Sequence, residues 1–425
     1  MKRDHFPELS LGRRSFFIGL GAAAVAAGTV GVVANGNGQA AKPASLDLPR
    51  IPWEGGPGYW RNFPKAANAG WTDPAFFPLA VFFGRAAHAE QLKSVGINTF
   101  QGVEHNAPLK DATSKGIFCI VQNEFSAAEI GNDPNVVGLF ANDECDIGLG
   151  CAGADTNENL ADMKRQVSAL RSRNDGRFIN ANYSKGVLDS FWAQGNMDDF
   201  MDVVDVASVD NYAYTSPDVD HAVTQSPHWT SGTSAMRSAT YGWLVDRMRT
   251  YQDSPGIKPN WMFVETAMPF LNDTGARTIS PEEMEGACWS AIIHEARGIM
   301  FFQHNNDGVN GGYSLVECSE ARKELIRASN AKITSLAPVI NTQSYIWDFG
   351  PGVDTMLKAH DGSAYVFAEI ALATEPGART FRLPPSLAGT AVEVVGEGRT
   401  LKVMDGMFTD VFAFEYSHHV YRIAL

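Results

Sequence analysis

The stretch Val136-Val137-Gly138-Leu139-Phe140-Ala141-Asn142-Asp143-Glu144 decides how this chain folds. A strand with one face in water alternates apolar and polar residues, whereas a strand buried on both faces reads as a continuous apolar run. This run is continuous, and it ends abruptly in an amide and two acids. That is the signature of a parallel strand covered by helices, with its polar end leaving the sheet. The same signature recurs on both sides, at 78–83, 97–103, 116–122, 177–182, 206–211, 261–265 and 298–303. Segments of helical period lie between the runs, over 87–94, 157–173 and 235–251, with another opening at Ser280-Pro281-Glu282-Glu283 and a last one over 319–336. Ser280 is placed to cap, Pro281 fits the first helical position, and acids favour the first turn. Eight strands alternating with helices close into a (β/α)8 TIM barrel without open edges. A doubly wound open sheet is the alternative, but no Gly-x-Gly-x-x-Gly turn follows the first run.

The flanks read differently. Lys2, Arg3, Arg13 and Arg14 precede a small-residue apolar run over 16–33, which is the pattern of a secretory leader. Within it, Ser10-Leu11-Gly12-Arg13-Arg14-Ser15-Phe16-Phe17 is similar to a twin-arginine export signal, and Gly38-Gln39-Ala40 offers a cleavage site. The expected organisation is a leader over 1–40 and an irregular Pro-, Gly- and Trp-rich lead-in over 41–75 that packs on the barrel. The barrel follows over 76–337 and a small antiparallel β-sandwich over 338–425. In the last part, β-rich segments at 363–371, 379–383, 391–395, 400–404, 410–414 and 420–423 are punctuated by Gly and Pro. The net charge of −14 excludes a nucleic-acid partner, which needs a basic face. Five cysteines in 425 residues do not make a disulfide scaffold, although Cys145 and Cys151 are close enough to pair outside the cell.

In a barrel of this kind the active site forms where the strands end. The polar residues there are Glu104 and His105, Asn123 and Glu124, Asp143 and Glu144, Asn182 and Tyr183, Asp210 and Tyr212, Glu265, and Gln303 and His304. Such a rim suits a polyhydroxylated ligand, so the expected partner is a carbohydrate. Glu144 ends the fourth run and Glu265 the seventh, across the mouth from each other. Two facing carboxylates are what glycoside hydrolysis requires. Asn142, Asp143, Glu104, His105, Asn182, Tyr212, Gln303 and His304 are the expected substrate contacts, with Trp192 or Trp229 stacking on a sugar face. His105 and His304 lack metal-ligand spacing, and neither a metal nor another cofactor is expected. No Gly-x-Ser-x-Gly elbow and no phosphate loop occurs.

Glutamates placed after strands four and seven resemble clan A of the retaining (β/α)8 glycoside hydrolases. The likeness runs from about Phe76 to Leu425 and includes the stretch from Ala287 through Cys288-Trp289-Ser290 and His294-Glu295-Ala296-Arg297 to Phe302. The terminal segment, with its Asp361-Gly362 turn and closing Tyr421-Arg422-Ile423, is similar to the sandwich that often follows such barrels. The resemblance implies Glu144 as acid/base and Glu265 as nucleophile. It also implies a tyrosine on the nucleophile, Tyr212 with Tyr214 as rival. The clan's Asn before the acid/base is Asp143 here, with Asn142 one position earlier, so Asp143 is a rival acid. Two alternatives stay open: a glycan-binding barrel without catalysis, and an inverting glycosidase using Asp143 or Glu124.

Overall fold

A computed structural model describes residues 45–425 apart from 191, 253–256, 270–272 and 388. The expected leader and its cleavage site lie outside the described residues. The apolar runs form β1 (Leu79–Gly84), β2 (Thr99–Val103), β3 (Phe118–Val121), β4 (Val136–Asp143), β5 (Phe178–Tyr183), β6 (Val206–Val209), β7 (Asn260–Glu265) and β8 (Ile299–Phe302). They pair in parallel in chain order, and β1 pairs with β8 to close the barrel. Ala80, Phe82, Ile120, Phe140, Phe178, Val206, Trp261, Phe263 and Met300 belong to one buried cluster that fills the interior. The outward residues pack on the helices in a second, larger core.

The helices are α1 (Pro64–Asn68), α2 (Ala89–Ser94), α3 (Lys110–Thr113), α4 (Ala127–Ile130), α5 (Thr156–Arg171), α6 (Met197–Val203), α7 (Pro217–Thr224), α8 (Ala239–Thr250), α9 (Pro281–Ile293) and α10 (Glu320–Ile340). α9 opens with a reciprocal capping box between Ser280 and Glu283, as its sequence requires. α10 runs four residues beyond the expected end, carrying Pro338 in its last turn.

The lead-in determines which end of the barrel is open. Leu46 sits in the core of the C-terminal domain, and the Ile51 N–H donates to Ser344 O at 3.0 Å. A 3-10 turn over Gly56–Asn62 and then α1 carry Trp60 and Trp71 under the strand starts. Their rings lie 5.2 and 5.4 Å from Phe178 and 6.4 and 6.2 Å from Trp261, both at the beginnings of their strands. Trp71 is 1 % exposed, so this end is sealed by aromatic packing. Chemistry is left to the opposite mouth.

The C-terminal strands are β9 (Ser344–Tyr345), β10 (Val353–His360), β11 (Ser363–Ile370), β12 (Gly377–Arg382), β13 (Ala391–Val394), β14 (Arg399–Lys402), β15 (Met407–Phe412) and β16 (His418–Ala424). Six form an antiparallel sheet in the order β14-β13-β16-β11-β10-β9, and β12 pairs with β15 as a separate ribbon. Phe381 and Phe408 of the ribbon lie 5.2 and 4.9 Å from Tyr421 of the sheet, which completes the sandwich. The other face of the sheet packs on the barrel, where Phe367 stacks on Trp289 of α9 at 5.9 Å. Apolar patterning places this domain's first strand at 363, whereas β10 lies before it. That strand carries Lys358 in its middle, a residue ordinarily taken as exposed. Lys358 is wholly buried, and its Nζ donates to Thr342 O at 2.7 Å and lies 3.7 Å from Glu295 Oε2. No helix among the described residues is long and apolar enough to cross a membrane.

Candidate active site

At the end of β4 the pairing with β5 steps from Phe140 opposite Asn180 to Asn142 opposite Ala181, leaving Ala141 as an extra residue. Such a bulge re-aims the side chains beyond it. Asn142 turns away from the barrel axis, its Nδ2 donating to Gly150 O and to Gln166 Oε1. It ties down the following loop through its amide, at the position where a substrate contact was expected. Asp143 turns inward, and its Oδ1 accepts from Asn182 Nδ2 at 3.0 Å. The Asn182 amide is itself fixed, because Ser208 Oγ donates to its Oδ1 at 3.0 Å and accepts from Gln101 Nε2 at 3.1 Å.

Glu144 follows with φ 55° and ψ 36°, the left-handed region. For a residue with a Cβ that conformation costs on the order of 1–2 kcal/mol, and it persists only where neighbours impose it. The restraints are present. The Glu144 N–H donates to Asn182 O at 2.9 Å, and its carbonyl accepts from Ile147 and Leu149. Cys145 and Cys151 form a disulfide, realising the pairing that their spacing allows. Asp146, wholly enclosed, accepts from the N–H groups of Ser184 and Gly186 at 3.0 and 2.7 Å. The backbone holding Glu144 is therefore tied to the loop after β5.

Three acids meet here. Burial raises Asp143 to about 6, helped by the Glu144 charge and opposed by the Asn182 hydrogen bond. Asp210, just beyond β6 and 8 % exposed, is pushed far above the carboxylate range by burial and then by Glu144 and Asp143, with Lys185 opposing. Tyr212 is raised by burial and then by Asp210, Glu144 and Asp143. Like charges this close cannot all ionise, so the cluster retains protons near neutral pH. Asp210 was noted in the sequence only as a polar strand end. Its signal, an acid closing the run Val206–Val209, has the same form as those of Glu144 and Glu265.

Glu265 occupies a separate setting at the end of β7. It is wholly buried. Its Oε2 accepts from the Tyr241 hydroxyl at 2.5 Å and its Oε1 from Thr215 Oγ1 at 3.1 Å. Burial lifts it to about 7, against those two donors and the positive charge of Arg277. The tyrosine holding this carboxylate is thus Tyr241 of α8, where Tyr212 was expected. Tyr214, the expected rival, donates to Glu415 Oε1 at 2.5 Å. Tyr241 lies in an ordinary amphipathic helical segment, and nothing in its local pattern marks it.

The rest of the rim divides. Glu104 accepts from the Tyr313 hydroxyl at 2.5 Å and pairs with Arg85 at 2.8 Å; both partners hold it below the usual range against burial. His304 lies edge-on to Tyr313 at 5.4 Å and is kept neutral chiefly by burial. Gln303 is wholly buried beside it. His105 instead turns to the surface, its Nε2 2.7 Å from Glu129, which also caps α4. The residue expected to touch substrate is engaged in this exposed contact. Glu124 is exposed on a turn after β3. Trp192 is half-buried, with the Lys185 ammonium 5.9 Å from its ring centre. Trp229 is occupied by packing on Trp243 at 4.9 Å.

These shifts have a consequence for stability. Asp143, Asp146, Asp210 and Glu265 all have folded pKa values above their unfolded ones. Each contributes stability that is complete below about pH 4 and is lost as pH rises through its folded value. Glu129 and Glu285 lie near 2, so their contribution is lost on acidification instead. The melting temperature is expected to peak near pH 5 and to fall by several degrees toward pH 8. Thermal melts between pH 3 and 9 check this, and a melting temperature still rising from pH 5 to 8 contradicts it.

No protein-family model matches the chain, and no curated protein matches its sequence. Solved structures align with most of the chain. A family 39 glycoside hydrolase from the gut symbiont Bacteroides cellulosilyticus WH2 is 11 % identical with a TM-score of 0.49, over 83 % of this chain and 82 % of that one. A family 51 α-L-arabinofuranosidase from Bifidobacterium longum is 11 % identical with a TM-score of 0.49, over 83 % and 96 %. Another glycoside hydrolase is 12 % identical with a TM-score of 0.48, over 82 % and 92 %. At such identities and TM-scores the likeness assigns no residue a role.

Proposed function

We propose that this chain is an exported glycoside hydrolase that cleaves an oligo- or polysaccharide by double displacement, with Glu144 as acid/base and Glu265 as nucleophile. The observation that carries this reading is the contrast between the two strand ends. At β4, Glu144 stands beside Asp143 and Asp210, whose carboxyls burial raises above their usual range. At β7, Glu265 is gripped by Tyr241 and Thr215, donors that favour its anion and aim it. A carboxyl group placed to give up a proton and an oriented carboxylate are the two parts that glycoside cleavage needs. Glu144 protonates the departing oxygen while Glu265 attacks the anomeric carbon. Glu144 then takes a proton from the water that releases the sugar. Trp192 offers an aromatic face, and His304 a neutral imidazole, for the sugar. Export rests on the basic and apolar pattern of residues 1–40.

A second reading has its own observation. The groups that act most on Asp210 are Glu144 and Asp143, whereas those acting on Glu265 are Tyr241, Thr215 and Arg277. In that reading the three clustered acids run a single displacement and Glu265 is a buried structural group. The test is a screen of cell-wall and plant polysaccharides, with the anomer of the first product read by NMR. Retained configuration supports double displacement, and inverted configuration supports the cluster alone. Binding without turnover on every glycan leaves a binding barrel and overturns both.

A further inference from the structure

A second group of ionisable side chains lies away from the mouth, where the barrel meets the C-terminal sheet. His294 is the C-cap of α9, Asp246 belongs to α8, Asp354 to β10 and Glu369 to β11. His294 is 6 % exposed and Glu369 1 %. The His294 ring is held on two sides. It packs on Gly242 of α8, where an added Cβ would stand 2.3 Å from its Cδ2. Its Nδ1 lies 2.7 Å from Asp246 Oδ2. A carboxylate on Nδ1 orients the ring, and a metal at Nε2 would displace the proton there.

Nε2 points between the two sheet carboxylates. It lies 3.3 Å from Glu369 Oε1 and 3.7 Å from Asp354 Oδ2, yet it satisfies a hydrogen bond to neither. One nitrogen and two oxygens, from His294, Asp354 and Glu369, fall within 4.8 Å of one another. Ligands about 2.0–2.2 Å from a common ion stand roughly 3.0–3.6 Å apart, so the side chains draw together on binding. Ser290 Oγ donates to Glu369 Oε1 at 2.9 Å and orients it. Three carboxylates converge on one imidazole, of which Glu369 is buried while Asp354 and Asp246 reach solvent.

We propose that His294, Asp354 and Glu369 bind one zinc ion, with Asp246 as the orienting partner of the histidine. The ion ties α9 of the barrel to β10 and β11, so its role is to lock the sandwich onto the barrel rather than to serve the reaction. The site takes a divalent ion of zinc type because imidazole nitrogen is among its ligands; magnesium and calcium favour oxygen alone.

The test uses the full chain, purified with and without EDTA treatment. Elemental analysis after incubation with zinc chloride and desalting is expected to give about one zinc per chain. Zinc is expected to raise the melting temperature of the EDTA-treated protein by roughly 3–6 °C. Cobalt in its place gives visible d–d bands reporting nitrogen and oxygen ligation. Asp354→Asn, at a partly exposed position, and Glu369→Gln are each expected to abolish both the stoichiometric zinc and the thermal shift. Absence of zinc from the folded wild-type chain, together with an unchanged melting temperature, overturns the proposal. So does full retention of zinc by both variants.

Discussion

Glu265→Gln is expected to lower kcat by about 10⁴-fold or more while leaving the fold intact, because it removes the nucleophile and little else. Glutamine has the same shape. Tyr241 continues to donate to the remaining carbonyl oxygen, as it does to Oε2 at 2.5 Å. Thr215 is the partner that must adapt, and its hydroxyl has an alternative acceptor in Tyr212 O at 3.3 Å. Turned that way, it accepts from the new amide. The variant also removes a group that burial lifts to about 7, so no charge has to be buried above that pH. Its melting temperature at pH 8 is expected to equal or exceed the wild-type value. Kinetics on any cleaved glycan, paired with thermal melts, separate the two readings of the site. A loss under about tenfold with an unchanged fold removes Glu265 from the chemistry and leaves the Asp143, Glu144 and Asp210 cluster to act alone. Azide supplies a further check, since an external anion can replace a missing nucleophile but cannot replace a structural buried acid.

The barrel was legible because doubly buried strands leave unbroken apolar runs. The rim was legible because polar residues end those runs, and Glu144 and Glu265 lie at such ends. What could not be read depends on where side chains turn after the strand stops. Asn142 faces Gly150 because of a bulge at Ala141, a step in pairing that only the neighbouring strand imposes. His105 follows the same kind of run yet turns to Glu129, a choice made by the capping box of α4. Tyr241 reaches Glu265 from a helix one element away, so no spacing along the chain connects them. β10 was hidden by Lys358, whose burial rests on partners from elsewhere in the chain, Glu295 and Thr342 among them. Local periodicity therefore identified elements and strand ends, and long-range pairing decided orientation.

Glu144→Gln is expected to give a different signature from Glu265→Gln, one that depends on the leaving group. A natural sugar leaves as a poor alkoxide and needs the proton, so kcat/KM on a polysaccharide should fall by roughly 10²–10⁴-fold. A dinitrophenyl glycoside leaves without help, so its first step should be nearly unaffected. Its second step still lacks a base to activate water, so the glycosyl-enzyme accumulates, with a low KM and a burst of phenolate. Azide should then restore turnover and yield a glycosyl azide of retained configuration. The left-handed backbone at Glu144 makes the measurement decisive for its neighbour. That conformation, held by the Asn182 carbonyl and the Cys145–Cys151 disulfide, presents Glu144 and Asp143 at successive but differently directed positions. Asp143 is already engaged by Asn182 at 3.0 Å, which orients it as a fixed acceptor. Asp143→Asn should therefore weaken substrate binding and shift the pH profile without the leaving-group dependence. If the dependence appears in Asp143→Asn and not in Glu144→Gln, the proton comes from Asp143. The strained turn would then serve to carry Glu144 beside Asp210, where its charge keeps the cluster protonated.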